Sequence, residues 1–232
     1  MNRVVRRGGR WLKRRVAGST AVITAGNVYL RRAGRFSMLA TPRSWARHEV
    51  DVYRALYGDG AAGLLGVERV WMAHTPGVTL AELVRTGAPT RALHAAGVEL
   101  RRMHDLAIGR RWFSHGDLHL ENVLFCAEDN RARVIDFETV HTEDQGAAAR
   151  HADDLACLAL DLAATSVRPA VDWAVLLRGY GPGGAVRYEL ARRLGVARGL
   201  APRSLQILRS RYLPREQLAE RLGALRAELG MV

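Results

Sequence analysis

Lysine is almost missing from this chain. Of the 35 basic residues in a sequence of 232, Lys13 alone is not arginine. That skew, beside abundant alanine and glycine, reads as compositional bias as much as function. Acidic residues number only 23, which leaves a formal charge of +12. Such a balance attracts phosphate-bearing surfaces. Cysteine is scarce as well. Cys126 and Cys157 stand in apolar contexts without metal-ligand spacing, which argues against a disulfide framework or a zinc site and for buried, reduced thiols in a cytosolic protein. No uninterrupted apolar run approaches the length of a membrane span. A basic start followed by the mildly apolar segment 16–25 mimics an export signal, but Gly18, Ser19, Thr20 and Thr24 interrupt it, and the segment is better used as strands.

What the chain does have is two short motifs in register. The first runs His115-Gly116-Asp117-Leu118-His119-Leu120-Glu121-Asn122, and the second is Asp136-Phe137-Glu138 after the apolar pair Val134-Ile135. Asp117 can orient or deprotonate a hydroxyl, and Asn122 and Asp136 can hold a metal beside phosphates. This is the order of polar groups that phosphoryl transfer requires. The reaction asks little covalent help of a protein, so the catalyst must place a nucleophile in line and neutralise charge on the phosphate oxygens. Mg²⁺ keeps several waters, and one carboxylate with one amide carbonyl suffices for it. Residues 123–126 and 131–135, with the turn-forming Glu128-Asp129-Asn130 between them, read as a hairpin that brings Asn122 and Asp136 together at its open end.

These two motifs resemble the protein-kinase-like superfamily. The form H-G-D-x-H-x-x-N is similar to its small-molecule branch, the aminoglycoside and choline phosphotransferases and the bacterial lipopolysaccharide-core kinases. The resemblance implies an α+β, compact bilobal fold: a small β-rich N-lobe over residues 1–75 and a mostly helical C-lobe over 76–232. It implies ATP and Mg²⁺ as cofactors, Asp117 and His119 as catalytic residues, and Asn122 and Asp136 as metal ligands. His119 is equally well read as structural, and His94, His104 and His115 as packing or capping groups.

The first lobe departs from the family. Segments 11–16, 20–24 and 28–32 read as three strands of a meander, which puts Gly18 where kinases carry their phosphate cover, although the full G-x-G-x-x-G is absent. Arg31 then falls at the end of the strand that normally carries the phosphate-binding lysine, and its planar fork is not a point-charge substitute. Lys13 on the first strand is the other candidate. A helix over 42–57, with Thr41 as N-cap and Pro42 at its first position, presents Glu49 as partner for whichever cation it is. Segment 70–80 resembles the hinge along adenine, with backbone near Met72 and His74 as its bonding groups and Gly77 turning the chain away.

In the second lobe a helix over 91–106 precedes the catalytic loop, and helices over 170–177, 184–194, 204–212 and 215–229 follow a helix that begins near Asp153 and Asp154. Asp154 resembles the family carboxylate that braces the catalytic loop. Glu138 stands where Gly is usual, as either a stiffener or a third carboxylate near the metals. From Asp136 to Asp154 there are only 18 positions, too few for a peptide-binding platform. The expected function is therefore ATP-dependent transfer of the γ-phosphate to a hydroxyl of a small or glycan- or lipid-linked acceptor. A compact protein kinase resembling the RIO or Kae1-associated families and a nucleotide-binding pseudokinase stand as alternatives. Nucleic acid is not an expected partner, and the oligomeric state is open. The expected location is cytoplasmic, with the cluster Arg6, Arg7, Arg10, Lys13, Arg14 and Arg15 either a solvated arm or a contact for the inner membrane face.

Overall fold

A computed structural model describes residues 2–87, 89–108 and 111–230. It opens with a tight hairpin, β1 (Asn2–Arg7) and β2 (Arg10–Arg15). Arg7 pairs with Arg10, so Gly8 and Gly9 form a two-residue turn, both with positive φ (53° and 73°), the geometry glycine adopts without strain. The period-two alternation of β2 turns Lys13 and Arg15 inward and leaves Arg10 and Arg14 exposed. The basic cluster is thus a hairpin rather than a free arm, and Arg15 is buried.

Next comes α1 (Ser19–Gly34), where two strands were expected. Local β-branched residues favoured strand, but the inward-turned positions Ser19, Ile23, Asn27, Leu30 and Gly34 recur at helical intervals, and tertiary packing decides. The Asn27 amide pairs with both the N–H and the C=O of Met38 on β3 (Phe36–Met38), at 2.8 and 2.9 Å. Then α2 (Pro42–Tyr57) starts where expected, the Thr41 hydroxyl accepting from the Ser44 N–H at 3.1 Å. Trp45, Val52 and Leu56 face the core from this helix. β4 (Ala62–Leu64) and β5 (Arg69–Ala73) complete a four-stranded antiparallel sheet in the order β1-β2-β5-β4, against which α2 packs.

The chain then passes through β6 (Val78–Thr79) into α3 (Leu80–Arg85) and α4 (Thr90–His104), with a small ribbon, β7 (Ala107–Ile108) and β8 (Arg111–Trp112), before the first motif. The expected hairpin is present as β9 (Val123–Cys126) and β10 (Arg131–Val134), with β6 as its third strand. β11 (Thr139–His141) follows the second motif and pairs with β3. Five helices finish the fold: α5 (Ala147–Thr165), α6 (Pro169–Tyr180), α7 (Gly184–Arg193), α8 (Leu200–Arg209) and α9 (Arg215–Ala227). α4 and α6 press together at glycines: a Cβ on Gly97 would sit 2.2 Å from the Leu176 carbonyl oxygen, and one on Gly179 2.2 Å from that of His94. α5 runs through the core, buried from His151 to Ala163. Cys126 and Cys157 are buried free thiols. No described helix is long and apolar enough to cross a membrane. The architecture is α+β, a small sheet region beside a helical body, and fits a bilobal kinase-like fold.

Candidate active site

A cleft of about 540 Å³ lies under the four-stranded sheet, and Lys13, Glu49, Met72, His74, Asn122 and Asp136 all line it. Three segments far apart in sequence converge there: β2, α2 and the segment after β10.

Lys13 sits at the centre. Its Nζ donates to Glu49 Oε1 at 2.9 Å and to Asp136, and it lies 2.8 Å from Glu138 Oε1. Burial works against its charge, yet the three carboxylates outweigh burial and hold the ammonium well above its ordinary pKa. One ammonium shared among three carboxylates cannot fully compensate the most buried of them. Glu49 is fully enclosed, its Oε2 has no partner, and burial pushes its pKa up to about 7 against the pull of Lys13. Asp136, with the same ammonium against it, moves the other way: its carboxyl is also resisted by burial, but Lys13 lowers it. Asp136 has φ +70°, a left-handed conformation unusual for a side-chain-bearing residue, of the kind functional loops store.

Gly18 and Arg31 lie elsewhere, which corrects their expected placement. Gly18 is the residue before α1, and Arg31 is on that helix, lining a separate pocket with His48, Phe113 and His141. The turn at the tip of the sheet is made by Gly8 and Gly9 instead, with the His74 N–H donating to the Gly9 carbonyl at 3.3 Å. The meander was displaced because the strand before Lys13 was hidden in the arginine-rich start, although Gly-Gly between Val4-Val5 and Trp11-Leu12 is a hairpin signal.

Glu138 clamps the hairpin. Besides Lys13 it accepts from the Arg15 guanidinium at 3.3 Å and from the Asn2 amide. Arg15, missed as a site residue, is buried beside it and donates to the Leu39 carbonyl at 2.8 Å.

The loop carrying Asp117 hangs from α5. Asp154 accepts from the backbone N–H groups of His115 and Gly116, each at 2.7 Å, and from His104 Nε2 at 3.0 Å. Buried though it is, these donors and the surrounding imidazoles hold Asp154 well below the usual carboxylate range. Two turns along the same face, Asp161 accepts from the Leu120 N–H at 2.9 Å. Gly116 has φ +85°, and a Cβ there would come within 2.9 Å of Thr139 Oγ1. His115 is fully buried, donating from Nε2 to the Ile135 carbonyl at 3.0 Å under the Phe137 ring, so it ties the two motifs together. The Asn122 amide nitrogen donates to the Asp117 carbonyl at 3.0 Å and to His119 Nε2 at 3.2 Å. Its oxygen is then the end left to face a cation. Asp117 and His119 face a neighbouring pocket of about 330 Å³ that also holds Asp161, Arg209 and Arg211.

The donor set suits Mg-nucleotide on its own terms. Three carboxylates meet one lysine and Arg15, so with Glu49 ionised the cleft carries an excess of one negative charge, and a hard cation taking oxygen from Asp136 and Asn122 would balance it.

The model of the lipopolysaccharide kinase (Kdo/WaaP) family matches residues 77–180, a stretch that begins at the Gly77 turn and contains both motifs. No curated protein matches the chain. The resemblance read from the two motifs thus holds: over residues 77–180 the chain is similar to the lipopolysaccharide kinase family, and that similarity supports a kinase phosphotransferase.

Proposed function

We propose that this kinase transfers the γ-phosphate of ATP to a hydroxyl of a glycan- or lipid-linked acceptor. The observation that carries the reading is the convergence of Lys13, Glu49, Asn122 and Asp136 on one cleft, with Asp117 opening onto the next pocket. The similarity to a lipopolysaccharide kinase family supports a sugar-bearing acceptor.

In this reading adenine lies along the backbone beyond Met72, and Lys13, kept in place by Glu49, binds the phosphates. Asp136 and the Asn122 amide oxygen hold Mg²⁺, which when bound neutralises charge on the phosphate oxygens. Asp117 accepts a hydrogen bond from the acceptor hydroxyl and takes its proton as that oxygen bonds to the γ-phosphorus and the bond to the β–γ bridging oxygen breaks. His119 acts through Asn122. The division into lobes near residue 75 is retained with an amendment: α1 and β3 belong with the helical body, because β3 pairs with β11 and Tyr29 Oη lies 2.6 Å from Ser204 Oγ on α8.

The pseudokinase alternative depended on a missing lysine, and Lys13 paired with Glu49 removes its motive. A protein acceptor is disfavoured because the chain leaves Glu138 directly into β11 and then enters α5 at Ala147. The test is labelled-ATP transfer into cell extract separated into protein, lipid and polar fractions, with wild type and Asp117→Asn. Label in the lipid or polar fraction, lost with the variant, is expected. Label confined to protein, or equal label from both enzymes, would overturn the reading.

A further inference from the structure

We propose that an arginine-lined cavity beside the Asp117 pocket is a subsite for a phosphate group carried by the acceptor. The cavity measures about 870 Å³, and Arg192, Arg193, Arg198, Arg209 and Arg215 line it, with Asp153 as the one acidic lining residue. Glu189 on α7 pairs with Arg192 and Arg193, so five guanidinium groups face two carboxylates. The side chains of Arg198 and Arg215 make no hydrogen bond or ion pair among the described residues and stand exposed at the rim.

A solvated arginine face would be ordinary in so arginine-rich a chain. Three observations set this one apart. The wall is built: buried Gln206 donates to the Gly195 carbonyl at 2.8 Å and accepts from the Ala197 N–H at 2.9 Å, which fixes the turn that presents Arg198. The floor contains Arg209, whose side chain is 9% exposed and is fixed by its ion pair with Asp153 at 3.2 Å. The cavity also adjoins the Asp117 pocket, the two sharing Leu205 and Arg209. Arg209 Nη2 donates to the Gly116 carbonyl at 3.2 Å, one residue from Asp117, so an anion held in the cavity would be registered against the catalytic loop.

Phosphate suits the site because a dianion with three terminal oxygens can accept from two guanidinium forks at once, which a carboxylate cannot do as fully. The inference rests on Asp117 facing the acceptor, and its test is arranged to separate the two. Inorganic pyrophosphate is titrated into the full chain and into Arg198→Gln/Arg215→Gln, two rim positions without contacts to lose. Binding weakened about tenfold or more in the variant, with an unchanged melting temperature, is expected. Equal binding would overturn the subsite, and equally strong binding of succinate would overturn its assignment to phosphate. In a second arm, the extract fraction that accepts label from ATP is treated with phosphatase beforehand, and it should lose most of its acceptor capacity. Undiminished capacity would refute a phosphorylated acceptor while leaving the kinase reading intact. Failure of transfer from ATP to every untreated fraction would sink the kinase reading, and the acceptor assignment with it, whatever pyrophosphate does.

Discussion

Replacing Lys13 by Met should damage stability as well as nucleotide binding, and the two effects should separate. Among the described residues Lys13 alone pairs with Glu49 Oε1, and Glu49 is fully enclosed with its other oxygen already unpartnered. Removing one member of a buried pair leaves an uncompensated charge and costs about 3–5 kcal/mol. The cost depends on pH. Glu49 already has its pKa raised to about 7, so between its ordinary value near 4.5 and 7 the folded state binds more protons than the unfolded one, and its contribution to stability declines as pH rises through 7. Without Lys13 that pKa rises further, so Lys13→Met should be less damaging at pH 6 than at pH 8. Lys13→Met/Glu49→Gln should recover most of the stability yet still need far more ATP than wild type. Urea denaturation at both pH values and ATP titration of the three proteins measure this. An undestabilised Lys13→Met, or a double variant with normal ATP affinity, would refute the argument, and Arg31→Ala should behave like wild type in the same assays.

Asp136→Ala should abolish Mg²⁺-dependent nucleotide binding, whereas Asp117→Ala should leave it nearly intact and lower turnover by about 10²–10⁴, as loss of a positioned base does; equal loss of nucleotide affinity in both would reverse the roles. Asp154→Ala orphans the N–H groups of His115 and Gly116, at about 1–3 kcal/mol each, and thermal denaturation should show the loss. His151, its pKa lowered to about 4 by burial and then by His104 stacked at 4.0 Å, is held neutral when folded. The unfolded chain takes that proton near 6.5, so stability should fall as pH drops from about 6.5 through 4, by up to about 3 kcal/mol, and His151→Gln should flatten that part of the profile. Neutralising Arg6, Arg7, Arg10 and Arg14 should weaken binding to anionic vesicles by about 1 kcal/mol for each residue that reaches the surface, in a salt-sensitive way; wild type that fails to bind at low salt would end the membrane reading.

The second half of the chain was legible because its chemistry is local. Asp117 and Asn122 lie within one loop, and the hairpin that returns the chain to Asp136 is written in consecutive residues. The first half was not, because its site is assembled from β2, α2 and the segment after β10. The β-branched run in 20–24 outvoted a helical stripe whose inward members include Ser19, Asn27 and Gly34, residues that do not look like core. Asn27 faces inward only because β3 supplies backbone for its amide, and β3 exists only because β11 arrives from about 100 residues later. Asp154 could be recognised from its spacing, whereas Asp161, seven residues on, gained meaning only once Leu120 was seen to donate to it.

The same dependence on distant partners resolves the charge. Composition makes the arginines look alike, but they fall into different physical populations. Arg15 and Arg209 are buried, and each fixes backbone next to the site: Arg15 holds Leu39 and the Glu138 clamp, and Arg209 holds Gly116. Neutralising Arg15 with its exposed neighbours would therefore test the fold rather than the surface. Arg7, Arg10 and Arg14 lie on the hairpin face opposite the one that covers the cleft, whereas Arg6 shares the cleft face with its cross-strand partner Trp11, so an anionic surface drawn to the first three would meet the protein on the sheet side. Arg198 and Arg215 stand on the Asp117 side, among α7, α8 and α9, where an acceptor would enter. Screening reaches the exposed groups and spares the buried ones. Raising salt should consequently weaken acceptor and membrane contacts well before it disturbs Lys13, Arg15 or Arg209, and activity lost to moderate salt should appear in the acceptor KM rather than in kcat.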